Sequence, residues 1–169
     1  MHFFNKKKNI KPLYNKIALL TRKNFFYEDF QLSDSFSNRI YLIFFHLGFI
    51  FVAMKKKDPN KNNAQDIFDF FFEQIEFNCR ELGYGDTTIN KKMKNLVKLF
   101  YEILIYCENW KQLQINEKNN ILVKFFTNTS DNKILTRKLT NYFSKFASFI
   151  EYISLNSLLK GVFNFVYKE

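Results

Sequence analysis

Side chains able to do covalent, acid–base or metal chemistry are few in this sequence, and their spacing does not suit such work. The chain holds two histidines, His2 and His46, and two cysteines, Cys79 and Cys107. A zinc site needs three or four such ligands at short, regular spacing, and this pattern has none. Gly83 and Gly85 lack the Gly-Lys-Ser/Thr sequel of a phosphate loop and read as a helix break. There is no Gly-x-Ser-x-Gly elbow, and neither cysteine carries the local signature of a thiolate–histidine pair. His46 sits inside an apolar run, where a hydrogen-bonded core imidazole is a simpler reading than a general base. The Glu73/Glu76 pair falls at i,i+3 on a helix face that water can solvate. No catalytic residue, metal or cofactor is expected.

The elements that would position any site are helices. With four Gly and two Pro in 169 residues, the turn every 8–12 residues or so that a β-sandwich needs is hard to write. Pro12 suits the first position of a helix running to about Arg22, after a basic tail over 1–11. Asn24 to Phe30 reads as an aromatic connection. Ser33, Asp34 and Ser35 offer cap oxygens to a second helix, which contains the apolar run Ile40 to Met54 and ends in Lys55, Lys56 and Lys57. Fifteen helical residues span about 22 Å, short of the roughly 30 Å of a bilayer's hydrocarbon, so this run is expected to be a buried central helix. A polar surface loop is expected at about 55–63, with Pro59 as the stop.

The third helix, about Ala64 to Leu82, carries an apolar stripe at Phe68, Phe71, Phe72, Ile75, Cys79 and Leu82. Phe70 and Phe77 form a second strip, for which cover from within the domain is expected. Gly83 supplies the helix stop, and Gly85 to Thr88 a tight turn into a fourth helix, about Asn90 to Cys107. That helix has Met93, Leu96, Val97, Phe100, Leu104 and Cys107 in register, with Lys91, Lys94 and Lys98 on its other side as a basic surface. Two or three further helices are expected: about Asn116 to Phe126, then Asn132 to about Phe149 and on through Ile150 to Phe165, with Gly161 marking a break or a close approach. The expectation is one all-α bundle of about six or seven helices, its domain spanning 12–169.

Charge bounds the function. Twenty-six Lys and Arg against 16 Asp and Glu give +10, and seven basic residues precede the first acid, Glu28. Lys, Asn, Ile, Phe and Tyr supply 89 of the 169 residues, as an AT-rich coding sequence would, so part of the basicity is drift. Only four of the bases are Arg, which argues against specific nucleic-acid recognition. No cleavable signal segment is read at the start, and two separated cysteines without a CxxC suit a reducing compartment.

One stretch is more specific: Cys79-Arg80-Glu81-Leu82-Gly83-Tyr84-Gly85-Asp86, followed by Ile89, Lys91, Met93 and Lys94. It resembles the Arg-Glu-x-Gly-x-Gly-Asp signature of the ubiquinol-cytochrome c chaperone family, assembly factors of the cytochrome bc1 complex. Arg22 to Tyr27, Asp34 to Arg39 with His46-Leu47, and more loosely Asn119-Asn120 and Gly161 to Phe165 extend the likeness from about Leu13 to Phe165. Three positions depart from the family pattern: Ser33 where many members have Pro, Asn38 where a Gly precedes the Arg, and Asn90 where a Pro opens the fourth helix. The resemblance implies a non-enzymatic protein that binds newly made cytochrome b, near the ribosome in mitochondria, before other subunits join. It also implies peripheral contact with the inner membrane, on the cytoplasmic side in a bacterium or the matrix side in a mitochondrion, and leaves room for a small co-chaperone.

On this reading the client site is Arg80, Glu81, Gly83, Gly85, Asp86 and Lys91, faced or supported by Asp34, Arg39 and His46. The alternative use of the same residues is structural, with Gly83 and Gly85 serving only the backbone and Arg80, Asp86 and Arg39 forming a buried network that fixes helix packing. Two other functions fit the composition: a basic RNA- or ribosome-binding helical protein, and a helical lipid- or quinone-binding carrier. The first would lose affinity steeply with salt, and the second requires a closed apolar tunnel.

Overall fold

The computed structural model describes residues 2–58, 63–126 and 132–168. Among them the chain forms helices and no strand: α1 (His2–Thr21), α2 (Asn24–Tyr27), α3 (Phe36–Lys57), α4 (Asn63–Glu81), α5 (Asp86–Asn109), α6 (Ile115–Phe125), α7 (Asn132–Tyr152) and α8 (Leu155–Leu159). Two of these are single turns, so the all-α bundle of the sequence reading stands. The loop around Pro59 lies outside the described residues, whereas Lys55 to Lys57 belong to the last turn of α3.

α3 is the axis of the bundle. It packs on α5, α7 and α1, and Leu42, Phe44, Phe45, Leu47 and Ile50 are inaccessible to solvent. Its length and hydropathy would suffice for a membrane span, but most of the apolar stretch is buried by these neighbours. Burying several phenylalanines on one helix, each contributing about 1.5–3 kcal/mol, explains why it sits at the centre. At Gly48 the absent side chain lets α5 approach: a Cβ there would lie 2.8 Å from Cys107 Sγ.

The core is aromatic throughout. Phe44 stacks on Phe72 at 5.5 Å, Phe45 meets Phe143 at 4.9 Å, and Trp110 lies edge-on to Phe49 at 5.5 Å. Phe70 is covered as expected, by Tyr14 of α1 at 5.8 Å, whereas its strip-mate Phe77 stays 54% exposed.

Several boundaries differ from the sequence reading. α5 begins at Asp86, so Asp86 to Thr88 form its first turn and not a tight turn ahead of Asn90. α1 begins at His2, so Pro12 is interior rather than first. α7 stops at Tyr152 because Ser154 caps a separate turn, its side chain accepting from Ser157 N–H. The last segment is then not helical: Gly161 turns it at φ +63 against the backbone of Pro12, where a Cβ would come within 2.6 Å of the carbonyl oxygen, and 162–168 run back over α1 and α7. Leu82, expected in the buried stripe, is 58% exposed, because α4 ends at Glu81 and the chain has left the helical path.

Candidate functional site

The corner between α4 and α5 is built from backbone outward. Gly83 adopts φ +83, its N–H reaches Arg80 O at 2.9 Å, and Tyr84 N–H reaches Cys79 O at 3.4 Å. This pair of bonds is a Schellman stop, which needs the left-handed conformation that glycine takes without strain. Gly85 then caps α5 at an ordinary φ of −72, with Ile89 N–H on its carbonyl at 3.0 Å. Of the two glycines, only Gly83 is demanded by conformation.

Arg80 spans this corner. Its Nε and Nη2 donate to Glu76 Oε1 at 3.1 and 2.8 Å, and its Nη1 donates to Asp86 Oδ1 at 2.6 Å. The cation thus lies at the C-terminal end of α4 and the anion at the N-terminal end of α5, where each helix dipole favours it. All three groups face water, at 46%, 40% and 80% exposure, so screening limits what the network adds to stability.

A second ion pair stands at the start of α3. Arg39 Nε and Nη2 donate to Asp34 Oδ1 and Oδ2 at 2.5 and 2.7 Å, a bidentate fork that holds the Asp34 carboxyl below the usual carboxylate range. Arg39 also lies beside the Tyr27 hydroxyl, which donates to Thr21 O at 2.6 Å and ties α2 to the end of α1. Two of the three family departures meet here: Asn38 Nδ2 donates to Ser33 O at 2.8 Å and Ser33 Oγ at 2.9 Å. Side-chain hydrogen bonds therefore hold the turn that a proline would have held. Asn90 is exposed in α5, past its first turn, where no proline is needed.

A cleft lies beside the corner, with Arg39 of the second ion pair on one wall and Glu81, the chain neighbour of Arg80, on another. Arg22, Arg39, Glu81 and Leu82 line a cavity of about 310 Å³ between the ends of α1 and α4 and the start of α3. A neighbouring cavity of about 290 Å³ opens between α3 and α5, lined by Phe36, Ile40, Tyr41, Lys92 and Leu96 among others. Lys92 ties the two regions together, its Nζ 4.1 Å from the Tyr84 ring and 5.9 Å from the Phe36 ring. Phe77, Leu82 and Tyr84, at 54%, 58% and 39% exposure, leave apolar surface at this end of the bundle.

Most of the residues singled out by sequence come together here: Asp34, Arg39, Arg80, Glu81, Gly83, Gly85 and Asp86. Lys91, Lys94 and Lys98 remain exposed along α5. His46 does not join them. It is fully buried in α3, its Nδ1–H donating to Leu42 O at 2.6 Å and its Nε2 accepting from the Tyr142 hydroxyl at 2.7 Å. A carbonyl can only accept, which fixes this tautomer, and burial pushes the pKa down to about 4. His46 is a core histidine and cannot touch a partner. Sequence reasoning passed over Lys92 and Tyr84; the signal was present in the spacing, since Lys92 falls outside the Lys91, Lys94, Lys98 face and hence towards α3.

The class is thus that of an all-α helical bundle, with its signature residues gathered on one exposed, ion-paired corner beside apolar clefts. The chain belongs to the ubiquinol-cytochrome C chaperone family, which it matches over residues 28–165. The likeness of Leu13 to Tyr27 lies ahead of that range. Its fold is similar to the crystal structure of the Cbp3 homolog from Brucella abortus, with a TM-score of 0.80 and 24% identity over 96% of this chain and 91% of the other. No curated protein sequence matches it at a significant level.

Proposed function

We propose that the protein is a non-enzymatic assembly chaperone that holds newly made cytochrome b for the cytochrome bc1 complex. It works at the inner-membrane surface, on the cytoplasmic side in a bacterium or the matrix side in a mitochondrion. Family membership supports the chaperone role. The observation that carries the choice of surface is the α4–α5 corner, where Phe77, Leu82 and Tyr84 stand exposed among the Arg80–Asp86 and Arg39–Asp34 pairs.

A partly inserted membrane protein offers such a corner apolar helix faces flanked by charged loop ends. Burial of the aromatic groups supplies holding energy, and the ion pairs set orientation. Arg80, Glu76 and Asp86 engage one another at the surface of the corner, an arrangement suited to docking.

A photo-crosslinking residue placed at Leu82 tests this, with Tyr152, which is 89% exposed on α7, as the comparison position. The expected product is an adduct with newly synthesised cytochrome b, identified by mass spectrometry, from position 82 and not from 152. Adducts with ribosomal RNA or protein alone, abolished by raising the salt, favour the RNA-binding reading and contradict this one.

A further inference from the structure

A groove of about 710 Å³ runs between the C-terminal half of α1, α2 and the extended segment 162–168; it adjoins the cleft beside the α4–α5 corner, since Arg22 lines both, but its other walls are its own. Its walls are apolar: Leu19, Phe25, Phe165 and Val166 line it, and Tyr142 closes its inner end with its hydroxyl committed to His46. Its charged lining residues are Lys16, Arg22 and Lys23, with no carboxylate among the lining side chains. Leu19 and Val166 stand 61% and 62% exposed, an unfavourable placement for two aliphatic side chains unless something apolar covers them. The groove is open along one side, unlike the closed tunnel a carrier of a free quinone would need.

An apolar trough whose charged lining residues are all cationic matches one kind of ligand chemistry: an acyl chain attached to a negatively charged head. We propose that the groove binds one anionic phospholipid of a bilayer, its phosphate held by Lys16, Arg22 and Lys23 and one acyl chain laid against Leu19, Phe25, Phe165 and Val166. The volume is within the roughly 300–1,000 Å³ of ordinary ligand sites. Such a site would seat the protein on a membrane through α1 and the C-terminal segment. It does not rest on the client reading, because neither its geometry nor its test involves cytochrome b.

Flotation of the full chain with phosphatidylcholine vesicles, with and without phosphatidylglycerol, tests the proposal. The expected result is binding only when phosphatidylglycerol is present. Lys16→Gln/Lys23→Gln should weaken it about 25-fold, about fivefold for each basic residue lost at an anionic surface. Leu19→Asn/Val166→Asn, which alters exposed positions and spares the core, should weaken it about tenfold at unchanged charge. Lys133→Gln/Arg137→Gln removes the same charge from an exposed face of α7 beside Ile134 and should leave flotation unchanged. Lysophosphatidylglycerol should compete and glycerol phosphate should not. Equal loss in the α7 variant, equal competition by glycerol phosphate, or no flotation of the wild-type chain with anionic vesicles overturns the proposal.

Discussion

Acidification from about pH 7.5 to about pH 5 should destabilise the fold through one side chain, His46. Its neutral ring is held between Leu42 O and the Tyr142 hydroxyl and walled by Phe26, Phe143 and Phe146. Burial places its pKa at about 4, against about 6.5 for an unfolded histidine. The folded value is the lower one, so the unfolded chain takes up the proton first. Stability fully present above about pH 6.5 is therefore lost as the pH falls towards 4. The gap between the two values amounts to about 3 kcal/mol at the acid limit and about 2 kcal/mol at pH 5. For a domain of this size that lowers Tm by about 4–8 °C at pH 5. Asp34 and Glu151, whose ion pairs hold their carboxyls below the usual range, lose their contribution only at lower pH. Circular-dichroism melts across this range, with His46→Gln as the comparison, check the slope: the variant is less stable but flat. If His46→Gln does not fold, the wild-type curve alone decides. A wild-type Tm unchanged between about pH 7 and 5, or a fall of the same size in the variant, refutes the reasoning.

Three other perturbations separate backbone, packing and surface effects. Gly83→Ala places a side chain in open space at φ +83, so it should cost only the left-handed strain of about 1–2 kcal/mol, whereas Gly85→Ser supplies the missing cap acceptor of α5 and should add a few tenths of a kcal/mol in urea unfolding. Gly48→Ala drives its Cβ to 2.8 Å from Cys107 Sγ and should cost about 1–3 kcal/mol; Cys107→Ala removes the obstructing sulfur, so the double variant should be more stable than the sum of the single losses by about 1 kcal/mol or more, and strict additivity contradicts this packing. Asp86→Ala breaks a solvent-exposed ion pair and should leave a folded protein with Tm within about 4 °C of wild type but weaker cytochrome b crosslinking at position 82; a molten variant assigns the corner to packing alone.

The fold was legible where one physical effect dominated. The apolar run Ile40 to Met54 could be stable only as a buried axis, and the Gly83 stop followed from a conformation that other residues avoid. Pro12 was misread because its tolerance at a first position is a local preference, and here α1 extends through it on tertiary packing of Leu13 and Ile17. The non-helical course beyond Leu159 was hidden because Ile150 to Phe165 remains helix-compatible by composition, and the bend is set by the Ser154 cap and by the approach of Gly161 to Pro12, a contact between opposite ends of the chain. At the site, sequence supplied both ion pairs as residues but not their partners. Arg80 joins Asp86 across six positions and Arg39 joins Asp34 across five, distances at which only the turn geometry decides who meets whom. His46 was drawn towards the site by its place in the family pattern, although its apolar neighbours already described a core position.

The central claim is that this helical protein supports maturation of cytochrome b, and deletion of its gene tests that most directly. Reduced-minus-oxidised spectra of membranes should show haem b, and with it ubiquinol-cytochrome c reductase activity, falling in the deletion strain. Both should return with the wild-type chain and return less with Asp86→Ala. Membranes with undiminished haem b and full reductase activity after deletion contradict the account.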